Sequence, residues 1–186
     1  MVPGGGGDIW PCKPNTETGL KERGFEFLAE MERLHMIVDV SHLSDRGFWD
    51  IAEHSTRPFA ASHSNCRALA PHCRNLTDEM IRVMAEKGGL VGLNYCSGFL
   101  DDQPRPELCR STTALMARHA AHFKQVGGIE IIGLGSDFDG IGGKLEMGDC
   151  SKLPLLADAL RKEGFTEDEV EQIFFRNAQR FFEENL

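Results

Sequence analysis

Two spacings of apolar residues alternate along the chain. Short, nearly continuous apolar runs at Met36–Val40, Phe59–Ser62, Leu90–Tyr95 and Glu130–Ser136 have the length of strands covered on both faces. Between them the spacing turns helical. Leu20, Phe27, Leu28, Met31 and Leu34 form one stripe, with Lys21, Glu22, Arg23, Glu30 and Glu32 on the polar side. Ser44 or Asp45 then caps a helix through about His54 that turns Phe48, Ile51 and Ala52 inward. A third helix starts at the N-cap Thr77, with Leu76 and Ile81 as its hydrophobic staple and Gly88 as its C′ residue. After a proline-containing loop at about Phe99–Arg110, helices are expected over Thr112–Val126, Leu153–Lys162 and Thr166–Glu184. Thr166 and Glu169 form a capping box on the last, with Phe165 and Val170 as staple.

Strand followed by helix, four times over, implies an α/β fold with a parallel sheet and right-handed crossovers. A closed (β/α)₈ barrel of the TIM type takes about 250 residues and eight strands. With 186 residues and four strands, this chain is expected to form half of one, with a C-terminal helix pair. Met1 to about Glu17, including Gly4–Gly7, reads as an irregular lead-in, and residues 18–186 as the half-barrel. The glycine run lacks the Lys-Ser/Thr ending of a phosphate loop.

Parallel sheets bind ligands at the C-terminal ends of their strands. Three such ends carry reactive side chains. The runs M-I-V-D-V-S-H and P-F-A-A-S-H finish on His42 and His63, and E-I-I-G-L-G-S is followed by Asp137. Two imidazoles delivered by neighbouring strand tips make His42 and His63 candidate metal ligands, because ligation needs lone pairs at fixed separations. The competing reading is a pair of ordinary histidines that end strands. Asp39 either orients His42 from behind or faces a polar layer. Asp139 assists Asp137 or caps the glycine-rich turn. His119 and His122, three apart on a helix, either share a metal or serve packing and solvation. His72 lies on the pocket or the loop surface, and Glu167–Glu171 suits a helix N-terminus. His35 and His54 are given no role.

The net charge of −9 argues against nucleic acid and anionic membranes as partners. No apolar run nears the roughly 20 residues of a membrane span, and the start lacks signal-peptide features, so a soluble, cytoplasmic chain is expected. Six cysteines without a C-x-x-C pair read as reduced thiols, although their even number is compatible with disulfides.

Several segments together resemble one family. M-I-V-D-V-S-H-L-S, A-S-H-S-N-C-R-A-L, H-C-R-N-L-T-D-E, G-G-L-V-G-L-N-Y, G-L-G-S-D-F-D-G and F-T-E-D-E-V-E-Q-I-F-F-R-N-A-Q-R-F-F are similar, in order, to the C-terminal half of the membrane (renal) dipeptidases. The resemblance implies a zinc metallopeptidase on a (β/α)₈ barrel of the amidohydrolase superfamily, with two zinc ions per complete site. It makes His42 and His63 the ligands of the second zinc, Arg74 the holder of the dipeptide's carboxylate and Asp137 the proton-handling acid.

The family's N-terminal ligands have no counterpart here, since no H-x-D occurs in the chain, so at most one partial zinc site is expected. Cys96 stands where the family more often has an aromatic residue. The leading expectation is dipeptide hydrolysis by a site that this chain completes with a second copy or a complementary N-terminal half. The alternatives are a catalytically incomplete fragment acting as an oligomeric or binding module, and an amidohydrolase acting on a lactam or lactone.

Overall fold

The computed structural model describes residues 17–143 and 145–186; the expected lead-in therefore lies, but for Glu17, outside the described residues. Three parallel strands form one sheet in the order β1 (Ala60–Ala61), β2 (Leu90–Asn94), β3 (Ile132–Ser136). Register runs from Ala60 opposite Leu90 and from Val91 opposite Ile132, with an irregularity where Asn94 meets Ser136. The first apolar run is not a full strand. It lies beside β1 through Val40 N–H to Ala60 O (2.8 Å) and Ala60 N–H to Val38 O (2.9 Å). The carboxylate of Asp39 binds the tip beyond β1 instead, so side-chain bonds replace further backbone pairing there.

Helices follow where the polar spacing predicts them. α1 (Glu22–Arg33) ends with His35 in the left-handed region at φ 58°, and Met36 N–H closes back on Met31 O. α2 (Asp45–His54) is capped by Ser44, which accepts from Gly47 N–H at 3.0 Å. α3 (Asp78–Glu86) is capped by Thr77, and Gly88 takes the expected left-handed turn at φ 69°. The expected loop after β2 contains a short helix, α4 (Ser97–Leu100), because Asn94 and Asn65 fix its backbone at both ends. α5 (Thr113–Gly127) packs on the sheet, and α6 (Leu153–Glu163) packs against α5.

The last expected helix is interrupted. α7 (Glu167–Glu171) starts with the capping box of Thr166 and Glu169, then widens into a π turn over Gln172–Arg176 before α8 (Asn177–Asn185). The wide turn delivers Asn177, whose amide donates to Ile129 O (2.7 Å) and Ile132 O (2.8 Å) and so docks α8 beneath β3.

Val38, Val40, Phe59, Ala61, Val91, Leu93 and Ile132 are buried under the helices. The carbonyl of Ser62 nests against Gly92 and Gly135, where an added Cβ would lie 2.1 Å from its oxygen. Glycine at both positions lets the strand tips crowd together. Met36, Phe175 and Leu186 are 53%, 58% and 73% exposed, leaving apolar surface at the start of the first run, on the π turn and just past α8. Among the described residues, no helix is long and apolar enough to cross a membrane. Cys66, Cys96, Cys109 and Cys150 are free thiols, but Cys73 is in a disulfide. Among the described residues this corrects the reduced-thiol expectation at Cys73 alone, where the compatible alternative of a disulfide holds.

Candidate active site at the strand tips

The first apolar run and β1 end in Ser-His dipeptides, and their rings converge. His42 Nε2 and His63 Nε2 lie 2.9 Å apart, with ring centroids separated by 4.9 Å. Behind them sits Asp39. Its Oδ1 accepts from the N–H groups of Ser41 and Ser62, each at 3.0 Å, and its Oδ2 accepts from Ser62 Oγ at 2.5 Å. Burial pushes this carboxyl up, but the bonds from Ser62 and Ser41 outweigh it and hold Asp39 below the usual carboxylate range. The expectation that Asp39 orients His42 gives way to a different geometry: its side chain binds the serines, and Ser62 Oγ in turn meets His63 Nδ1 at 2.7 Å.

Arg74 reaches the pair from the loop after His63. Its Nε donates to Ser41 O (2.6 Å), its Nη2 faces His63 Nε2 at 3.1 Å, and its guanidinium stands 5.3 Å over the Phe99 ring. Partial desolvation, followed by the Arg74 charge, holds both His42 and His63 below the ordinary histidine value. Both rings are therefore mostly neutral at pH 7, the form in which imidazole ligates metals. Burial also makes Arg74 easier to deprotonate than a free arginine, against the opposing pull of Asp137 and Asp39; guanidinium still remains a cation.

Asp137 joins through Asn94, at the end of β2. The buried Asn94 amide donates to Asp137 Oδ2 (3.1 Å) and to His63 O (3.4 Å). Asp137 and Ser136 have φ values of 69° and 32°, left-handed backbone that costs a non-glycine residue on the order of 1–3 kcal/mol. The turn closes with Gly140 N–H on Asp137 O (2.9 Å), and a Cβ on Gly140 would sit 2.2 Å from Asp137 Oδ1. Asp139 is exposed, and that bond to Asp137 O belongs to Gly140.

Other candidates go elsewhere. His119 is buried beneath α4, accepting from Cys66 N–H at Nδ1 (3.0 Å) and donating from Nε2 to Leu100 O (3.0 Å). Burial pushes it down to about 4. His122 pairs with Asp78 at 2.7 Å, so the two helix histidines share no partner. His72 is buried rather than on the loop surface: its Nδ1 accepts from Arg74 N–H (3.1 Å) and its ring packs 4.6 Å from Phe99. Glu167 and Glu169 pair with Arg161 and Lys124.

Ser41, Ser62, Asn65 and Asn94 were not singled out from the sequence. The signal for the serines was present, since each precedes a candidate histidine; Asn94 was marked only as a polar residue near the end of an apolar run. Among the described residues, no third His, Cys, Asp or Glu joins the histidines in a group able to hold a metal.

Comparison with known proteins gives this geometry a context. A Klebsiella pneumoniae protein described as an uncharacterized protein in the pqqA 5′ region is 38% identical over 171 residues, 92% of this chain and 63% of that protein. The uncharacterized dipeptidase C965.12 of Schizosaccharomyces pombe is 35% identical, covering 88% of this chain and 39% of its own length. A Rhodobacter sphaeroides metallopeptidase, solved with a phosphinate mimic of the dipeptide L-Ala-D-Ala, superposes with a TM-score of 0.85 at 34% identity, over 92% of this chain and 49% of that one. Dipeptidase AC gives the same TM-score at 35% identity, with 92% and 51% covered. The chain thus spans about half the length of these solved structures. The membrane dipeptidase family (Peptidase family M19), a family of metallopeptidases, matches residues 10–185, and the chain belongs to it.

Proposed function

We propose that this chain supplies the C-terminal half of a zinc dipeptidase barrel, with residues 18–186 as that half. The observation that carries the reading is the meeting of His42, His63, Arg74 and Asp137 at the C-terminal edge of one parallel sheet. The half-length match to dipeptidase structures and the open polar face at Asp39, His42 and Ser62 support a complementary half across the site.

Zinc fits the histidine pair. Two nitrogens bound to one ion at about 2.1 Å each can be at most about 4.2 Å apart, and the Nε2 atoms lie within that limit. Two neutral imidazoles form half of a ligand set, and the remaining ligands belong to the missing half. Zinc, when bound, supplies Lewis acidity toward the peptide carbonyl and a water acidified to near-neutral pKa.

The chain's own residues do the rest. Arg74 exchanges its contact with His63 for the free carboxylate of the dipeptide, which its planar fork matches. Asp137 takes a proton from the attacking water and passes it to the amine as the C–N bond breaks. Asn94 holds Asp137 Oδ2 during that transfer, and Gly140 leaves room at Oδ1.

The test is hydrolysis of a dipeptide panel that includes L-Ala-D-Ala, with zinc. The chain is assayed alone and mixed with the N-terminal half of dipeptidase AC. Zinc-dependent turnover is expected in the mixture and is lost in the His42→Ala, His63→Ala double variant. A mixture without turnover, or turnover that the double variant retains, overturns the reading.

A further inference from the structure

Ser62 and Asp39 stand out because their hydrogen bonds leave only one arrangement of protons. Asp39 below the carboxylate range is ionised and can only accept. The single proton of Ser62 Oγ therefore goes to Asp39 Oδ2 at 2.5 Å. What Ser62 then offers His63 Nδ1, 2.7 Å away, is a lone pair, so Nδ1 carries the ring proton. The far side of the ring gives the same answer independently. Arg74 Nη2 can only donate, so His63 Nε2 at 3.1 Å is the acceptor.

From this geometry we infer that Asp39 and Ser62 are positioning residues that fix His63 as the Nδ1–H tautomer, with the Nε2 lone pair aimed at the metal position. The inference deepens the proposed function by naming what prepares one ligand. It also separates the two histidines. Since His63 Nε2 carries no proton, His42 Nε2 is the donor across the 2.9 Å contact, sharing the one His63 lone pair with Arg74, and must change tautomer before it can ligate through Nε2. His63 is the ready ligand and His42 the late one. Ser41 completes the mounting: its hydroxyl accepts from His63 N–H at 3.0 Å, so Asp39 and the two serines hold both ring and backbone of His63.

The arrangement is a carboxylate relayed to a ligand histidine through a hydroxyl, and loss of such support commonly lowers metal affinity by about 10- to 100-fold. The variants differ informatively. Ser62→Ala removes the relay. Asp39→Asn puts an amide donor within reach of Ser62 Oγ, which frees the serine proton for His63 Nδ1 and reverses the tautomer. Ser62→Thr keeps the hydroxyl.

The experiment is long-range ¹H–¹⁵N correlation on histidine-labelled, metal-free chain at pH 8, with His63 assigned by its loss in His63→Gln. Zinc titration calorimetry follows on the same samples mixed with the N-terminal half of dipeptidase AC, with folding checked by circular dichroism. Expected results are an Nδ1–H His63 in wild type and Ser62→Thr, an Nε2–H His63 in Asp39→Asn, and zinc affinity 10- to 100-fold weaker in Ser62→Ala and Asp39→Asn. An Nε2–H His63 in the wild-type chain overturns the inference and needs no variant. So does a folded Ser62→Ala and Asp39→Asn pair with unchanged tautomer and affinity. Should the reassembled wild-type site bind no zinc at all, the metal reading fails while the tautomer still decides this one.

Discussion

His63 and His119 are both held below the ordinary histidine value, yet their surroundings assign them opposite work. His119 has both ring nitrogens occupied by backbone, Cys66 N–H on one side and Leu100 O on the other, and is buried. His63 has one nitrogen mounted on Ser62, while the other faces His42 and Arg74 at the open mouth. A histidine saturated by backbone ties elements together. One held from behind, with its second nitrogen free to change partner, can take a ligand.

The sharpest way to break this contrast is chemical. In the zinc-loaded, reassembled site, Asp137→Asn lowers kcat by about 10²- to 10⁴-fold, the usual contribution of a positioned acid or base. Steady-state kinetics checks this, and an unchanged melting temperature confirms that the residue serves the strand-tip region rather than the core.

The reverse holds for His119. His119→Ala leaves the Cys66 N–H and Leu100 C=O without their partner in a buried site and opens a cavity, for a loss of about 2–4 kcal/mol. Denaturant unfolding measures it. His63→Ala, by contrast, changes stability by less than about 1 kcal/mol, as expected of a partly open site.

That cost also depends on pH. His119 is held at about 4 in the fold against about 6.5 in an unfolded chain. The unfolded state takes up a proton that the fold refuses, so this stabilising term is complete above about pH 6.5 and is lost as pH falls toward 4. The gap between wild type and His119→Ala in unfolding free energy should therefore narrow by about 3 kcal/mol between pH 7.5 and 4. A gap that does not change with pH contradicts the assignment.

The smallest effect lies far from both histidines. Thr166→Ala removes the cap of α7, for about 1 kcal/mol by thermal or denaturant unfolding, with no change in zinc affinity.

Much of this contrast was legible in the sequence, and the illegible part has a physical cause. The caps at Ser44, Thr77 and Thr166 were readable because the partners of a helix end lie within three residues of it. So was the convergence of His42, His63 and Asp137 at strand tips, since parallel sheets set their chain directions alike. What escaped depends on contacts between segments distant in sequence. Asp39 meets Ser62 across 23 residues and Asn94 meets Asp137 across 43, distances at which no local spacing speaks. The π turn before Asn177 and the burial of His72 likewise follow from tertiary packing, as does the disulfide at Cys73.

The account rests on His42 and His63 sharing one metal ion. The most direct test is a crystal structure of the chain reassembled with the N-terminal half of dipeptidase AC, grown with zinc and measured at the zinc absorption edge. It should show an anomalous peak bonded to Nε2 of both histidines at about 2.0–2.1 Å, with Arg74 withdrawn from His63. Zinc bound through Nδ1, at other residues only, or nowhere in the crystal would contradict it.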